Sequence, residues 1–152
     1  MKLQKKAKRD QRSNIRSAKL PGWLIDAQKL FNFGNLDETY SLCRNVLLKN
    51  PREPRALHLM GLIAMKKGNF DLCHSLISKA IAEQPAVAQF YLNRSIAATK
   101  LGRLDEALSD ANNANILQKR YQKAIDQKAK ILVLQKKDEE ALTCFEALIK
   151  IS

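Results

Sequence analysis

Residues 54–87 read PRALHLMGLIAMKKGNFDLCHSLISKAIAEQPAV, and the pattern of these 34 residues recurs through the chain. Leu57 has counterparts at the same spacing in Trp23, Tyr91 and Ile125. Gly61 is matched by Ala27, Ser95 and Ala129, and Cys73 by Thr39, Ala107 and Ala141. Ile77 is matched by Cys43, Ala111 and Phe145, and Pro85 by Pro51. Within the stretch, Leu57, Gly61 and Ala64 fall on one face of a helix, and Cys73, Ile77 and Ala80 on one face of a second. Gly68-Asn69 between them reads as a turn, as do Gly34-Asn35 and Gly102-Arg103, because glycine reaches the positive φ that ends a helix without strain. An acid stands three residues past each glycine, at Asp37, Asp71 and Asp105, where it caps or favours the start of the second helix. Small residues at Gly61 and Ala80 let the two helices approach, Leu57 and Ile77 fill the space that remains, and Pro85 stops the second helix.

A single unit of this kind cannot bury its apolar face alone, so neighbouring units must stack. The period, with its order of large, small and proline slots, resembles the tetratricopeptide repeat. The resemblance runs from about Leu20 to Ser152 in unbroken phase, as repeats at 20–53, 54–87, 88–121 and 122–152. It implies an all-α, right-handed α-solenoid of about four helix–turn–helix repeats, whose concave face is made mainly by the first helix of each pair. A leucine is usual in the family where this chain has Asp26, Arg94 and Lys128, and a proline where it has Lys119. Loss of that proline predicts more continuous helix between the third and fourth repeats. The fourth turn, Lys136-Lys137-Asp138-Glu139, lacks its glycine, which predicts a stiffer or distorted turn. The basic leader, residues 56–64 and the run Gly102-Arg103-Leu104-Asp105-Glu106-Ala107 are also similar to the N-terminal repeat region of bacterial proteins that continue into a glycosyltransferase, methyltransferase or sulfotransferase domain.

With 45% hydrophobic residues, the 152-residue chain can fill a stacked core, and one repeat domain after a leader at 1–19 is expected. No apolar stretch approaches the roughly 20 residues of a membrane span, and the basic N-terminus lacks the apolar segment of a signal peptide. A cytoplasmic protein follows, in which the Asn93-Arg94-Ser95 sequon stays unmodified. Three cysteines make no disulfide framework: Cys43 and Cys73 occupy packing slots and Cys144 sits beside one. Cys73 and His74 are adjacent, so on a helix they diverge by about 100° and form no ligand pair. No metal or other cofactor is expected. The chain has no glycine-rich phosphate loop, no carboxylate pair in a plausible pocket and no nucleophile–histidine set, His58 and His74 being its only histidines. A catalytic role is therefore not expected.

Charge is concentrated in two places. Of a formal net +12, the first 20 residues hold eight bases (Lys2, Lys5, Lys6, Lys8, Arg9, Arg12, Arg16 and Lys19) against Asp10. A solvated tail, an arm for nucleic acid or another acidic surface, and a targeting or anionic-membrane signal all fit this leader. No aromatic residue precedes Trp23, so base stacking is not offered, and binding through the leader would collapse as salt rises. The second concentration runs from Lys119 to Lys137, where seven bases face only Asp126. Lys123, Lys130 and Lys137 share one helical stripe, either a solvated face or a wall for an acidic partner.

By the resemblance, function sits in the groove lined by first-helix residues that do not pack between helices. The corresponding positions here are Leu24, Ile25 and Gln28, then Arg55, His58, Leu59, Leu62 and Lys66. They continue as Gln89, Leu92, Asn93, Ile96 and Lys100, then Lys123, Asp126, Gln127 and Lys130. The list is apolar at its start and polar and basic at its end, which suits a peptide or protein segment with an apolar part and an acidic part. Leu24, Leu59 and Leu62 fit equally well as packing residues between neighbouring helices. The carboxylate clamp of repeat co-chaperones is not reproduced. On repeats two to four its positions fall at His58, Leu62, Asn93, Lys123 and Gln127, where Asn93 and Lys123 match and a protonated His58 could substitute. Phe145, Leu148 and Ile149, with the run Ile131-Leu132-Val133-Leu134, predict apolar surface at the C-terminal face, open to self-association or a partner. The reading that follows is an adaptor binding a protein segment in its groove. The alternatives are a non-catalytic module recruiting substrate for a glycosyltransferase or related enzyme, and a nucleic-acid-associated protein acting through its leader.

Overall fold

The structure, a computed structural model, describes residues 19–152. The leader ahead of Lys19 lies outside the described residues. Eight helices follow one another, with no strand among the described residues: α1 Gly22–Asn32, α2 Leu36–Lys49, α3 Pro54–Lys66, α4 Phe70–Glu83, α5 Ala88–Lys100, α6 Leu104–Leu117, α7 Gln122–Leu134 and α8 Asp138–Ile151. Each helix packs on the next in sequence, so α1–α2, α3–α4, α5–α6 and α7–α8 form pairs that stack in order. The first helices also touch across pairs, α3 with α5 and α5 with α7, and so build one continuous layer. The fold is an all-α solenoid of helix pairs.

The repeating slots explain the spacing. A Cβ at Gly61 would stand 2.8 Å from Cγ1 of Ile77, closer than carbon atoms pack, so glycine is what lets α3 and α4 meet. The same slot holds Ala27, Ser95 and Ala129, all fully buried, and the Ser95 hydroxyl donates to the Ala107 carbonyl at 2.7 Å. Opposite them Cys43, Ile77 and Ala111 are fully buried. Each apolar cluster draws on neighbouring pairs: Leu24, Ala27 and Cys43 pack with Ala56 and Leu59, and Leu57, Cys73 and Ile77 pack with Phe90 and Ala97.

The charged departures from the family pattern have separate causes. Arg94, in a leucine slot, reaches from α5 into α6, and its Nε and Nη2 donate to the two Asp110 oxygens at 2.8 Å each. Asp110 is only 2% exposed, and Nη1 of Arg94 also donates to Ser78 on α4 at 3.1 Å. The bidentate pair joins α5 and α6 of the third repeat with its charges mutually satisfied, and the bond to Ser78 reaches across to the second repeat. Asp26 is exposed, and nothing in the structure explains the lysine at Lys128.

Two expectations about the joints are corrected. The third and fourth repeats are not joined by continuous helix: α6 ends at Leu117 and α7 starts at Gln122. α6 stops with Gln118 extended at φ −130°, as α2 and α4 stop at Asn50 and Gln84 with φ −138° and −134°, so the break forms without the proline. Nor is the fourth turn distorted. Lys136 adopts φ 59°, in the same left-handed region as Gly34, Gly68 and Gly102 at 81°, 77° and 74°. Its backbone bonds reproduce theirs: Lys136 N–H to Val133 O at 3.0 Å and Lys137 N–H to Leu132 O at 2.9 Å, against 3.0 and 2.9 Å for Gly68 and Asn69. Packing of α7 on α8 holds the turn, and the strain is carried by a side chain that disfavours this conformation. Of the two roles expected of the acids past each glycine, the structure gives the second, a place in the first turn that favours the helix start. Asn69 is the cap, its side chain accepting from Leu72 N–H, while Asp37, Asp71 and Asp105 lie in the first helical turn. There they receive a donor from the next repeat's turn: Lys67 at 3.6 Å, Arg103 at 3.3 Å and Gln135 at 2.8 Å.

Lys136→Gly relieves the strained turn without touching a contact. The expected result is a gain of about 1 kcal/mol in urea unfolding, whereas Gly68→Lys at the matching turn lowers stability by a similar amount.

Candidate peptide-binding groove

Two hollows open along the layer of first helices and share Gln89. The larger, about 850 Å³, lies over α1 and α3. Leu24, Gln28, Arg55, His58, Leu59 and Leu62 line it, with Gln89 at its far edge. The smaller, about 280 Å³, lies between α5 and α7. There Gln89, Asn93 and Ile96 face Lys123, Gln127 and Lys130. Of the groove positions read from the sequence, Lys100, Ile25 and Lys66 line neither hollow.

The floor of the first hollow is part of the core. Leu24 and Leu59 are 4% and 5% exposed and pack with Ala27, Cys43 and Ala56, so they offer an occupant only their edges. Leu62 is half-buried and lines the same hollow. Phe31, Phe90 and Leu20 add apolar surface, and the connection from Glu83 to Val87 closes one side. The repeat register did not reveal that wall, because it assigned lining positions to first helices alone. Arg55 is a half-buried guanidinium here, with no carboxylate in salt-bridge reach among the described residues.

His58 links the two hollows. Burial holds its imidazole well below the ordinary value, down to about 4, so the ring is neutral at pH 7. Its centroid lies 4.7 Å from that of Phe90, and the Asn93 side-chain amide donates to Nε2 at 2.8 Å. An amide nitrogen can only donate, so Nε2 accepts and the proton sits on Nδ1. The expectation of a protonated His58 at a clamp position is thereby corrected: the ring is desolvated and neutral, and it occupies the Asn93 amide that a ligand would need.

In the second hollow the cations differ from one another. Lys130 pairs with Asp126 at 2.6 Å, one turn away on α7. Gln127 is 8% exposed and donates to the Thr99 hydroxyl at 3.0 Å, which anchors α7 to α5 rather than serving the hollow. Lys123 is exposed and carries no ion pair among the described residues. Lys137 precedes α8 and lines neither hollow, so the lysine stripe divides between two surfaces. Tyr121 supplies an aromatic edge that helical spacing alone did not place. Elsewhere, the Cys43 and Cys73 thiols are pushed up to about 11 by burial, and His74 pairs with Glu106 on α6. Among the described residues no cluster of three metal-ligating side chains occurs, and no helix is long and apolar enough to cross a membrane.

The depressed His58 value makes stability depend on pH. The unfolded ring, near 6.5, binds a proton that the folded ring refuses until about 4, so stability is full above 6.5 and is lost as pH falls through that window. The expected loss is about 3 kcal/mol. His58→Gln should remove this component from the pH profile of thermal unfolding, and an unchanged profile would contradict the assignment.

No family profile matches the chain. Human DnaJ homolog subfamily C member 7 is 30% identical over 105 residues, which cover 66% of this chain and 21% of that protein. The chain thus spans about a fifth of the length of the curated relatives it matches. Among solved structures, a crystal structure of MamA superposes with a TM-score of 0.77 at 17% identity, over 89% of this chain and 77% of that one. TTC0263 of Thermus thermophilus, a thermophilic TPR protein, gives 0.74 at 21% identity over 86% and 73%. An O-GlcNAc transferase mutant of Thermobaculum terrenum gives 0.70 at 25% identity, over 72% of this chain and 21% of that one. With the unbroken period of 34 and the eight helices stacked in consecutive pairs, these similarities make the chain a tetratricopeptide-repeat protein, a repeat module of the kind that generally serves as a protein-interaction scaffold.

Proposed function

We propose that the chain is an adaptor that holds a segment of another protein along the two hollows. The observation that carries this reading is their contrast and continuity. An apolar hollow of about 850 Å³ meets a polar one at Gln89, and the layer of first helices runs unbroken beneath both. An extended or helical segment fits if it places bulky apolar side chains against Leu62, Phe31 and the edges of Leu24 and Leu59. Its acidic residues would then meet Lys123 in one direction and Arg55 in the other. Apolar burial supplies most of the affinity at about 25 cal/mol per Å², and the exposed lysine supplies orientation and encounter rate.

A second reading is favoured by the likeness to the Thermobaculum terrenum O-GlcNAc transferase. In it, the same groove presents a protein substrate to a glycosyltransferase or related enzyme. Co-purification of such an enzyme with the groove occupied would separate this from free-standing capture.

Selection from a displayed random-peptide library at moderate salt tests the adaptor. Enriched peptides should combine a bulky apolar anchor with a run of acids. Leu62→Asp should reduce their binding by about two orders of magnitude, and Lys123→Glu should remove the preference for acids with less loss of affinity. Lys130→Glu should matter less, because Lys130 is already paired with Asp126. Absence of any enriched sequence, or enrichment indifferent to Leu62→Asp, would overturn the proposal.

A further inference from the structure

Repeat phase identifies a surface that no other described residue covers. Phe145 occupies the slot of Cys43, Ile77 and Ala111, all fully buried, yet it is 40% exposed. Ile149 occupies the slot of Ile81 and is 73% exposed, and Leu142 on α8 and Val133 on α7 are exposed as well. In the second repeat the first helix of the next pair covers this surface: Phe90 and Ala97 of α5 pack in one cluster with Ile77 and Ile81. Among the described residues nothing takes that place on α7 and α8.

The opposite face of the array is built differently. Lys29 stands where Ile63, Ala97 and Ile131 are buried, and Asp26 where the next repeat has Met60; both charged residues are exposed. Head-to-tail stacking of two copies would press these charges against Phe145 and Ile149, at a desolvation penalty that an apolar face cannot return. The two end faces are therefore mismatched to each other. The α8 face, by contrast, is matched to itself. Leu142, Phe145 and Ile149 form one stripe along α8, and Glu139 and Lys150 lie on the same flank of it. The helix carries Asp138, Glu139 and Glu140 in its first turn and Lys150 in its last. When two such helices lie antiparallel about a twofold near Phe145, stripe meets stripe. Glu139 of each copy then meets Lys150 of the other, and the helix dipoles oppose.

We infer that the α7–α8 end face is a self-association surface on which a second copy of this chain packs with α8 antiparallel to α8. This surface is separate from the two hollows, so a dimer would carry two grooves available at once.

Sedimentation equilibrium of the 152-residue chain across the micromolar range tests this. The expected mass rises from 17.2 kDa toward twice that value, and Phe145→Glu holds it at the monomer with unchanged helical circular dichroism. Glu139→Lys and Lys150→Glu each weaken the dimer about tenfold, since each sets like charges together at two symmetric places. The double variant restores it. A monomer at every concentration, open-ended growth beyond two copies, or a dimer indifferent to all three substitutions would overturn the inference.

Discussion

The close approach of paired helices at one small-residue slot is the constraint on which the rest of this structure depends. Gly61 sits so near Ile77 that a single added carbon would reach 2.8 Å from it, and Ala27, Ser95 and Ala129 hold the corresponding place elsewhere. Because the core positions are so often alanine, burial of each side chain contributes little by itself. Stability comes from the density of contact that short side chains permit across every helix pair. Stacking then fixes the position of each first helix, and the first helices make the groove. A change at the small slot would therefore be felt at the hollows as well as in the core.

The sequence made the architecture legible because the packing slots are periodic, with the slot of Gly61 kept small in every repeat. It also located most of the groove, since Arg55, His58, Leu62, Asn93, Ile96 and Lys123 follow from register on the first helices. What stayed hidden depends on contacts between residues unrelated by phase. Arg94 looks like a flaw in a leucine slot until Asp110, sixteen residues on, is seen to clasp it. His58 looks like a potential cation until its burial against Phe90 is seen to keep it neutral. Lys136 looks like a failed turn, yet it adopts the same left-handed backbone as the glycines at the other three turns. The wall from Glu83 to Val87 belongs to a connection, which a helical register does not describe.

The two ends of the array and the two hollows show the same division between apolar and charged surface. Charge lies on the face near α1, at Asp26 and Lys29, and apolar surface lies on the face of α8, at Phe145 and Ile149. Along the groove the order is reversed, from the leucine-floored hollow over α1 and α3 to the hollow that holds Lys123. A partner segment bound in one direction would set its apolar part on the leucine floor and its acidic part at Lys123, whereas in the other only Arg55 would meet its acids and its apolar part would lie over the polar hollow. The groove thus has a polarity that the repeating backbone alone would not give it.

Nuclear magnetic resonance mapping of a bound acidic, apolar-anchored peptide on the isotopically labelled chain tests the central claim most directly. Saturable shift changes are expected in a line through Leu62, Gln89, Asn93 and Lys123, with little change on α2, α4 and α6. Changes centred on the outer surfaces of those second helices, or no saturable change at the two hollows, would contradict it.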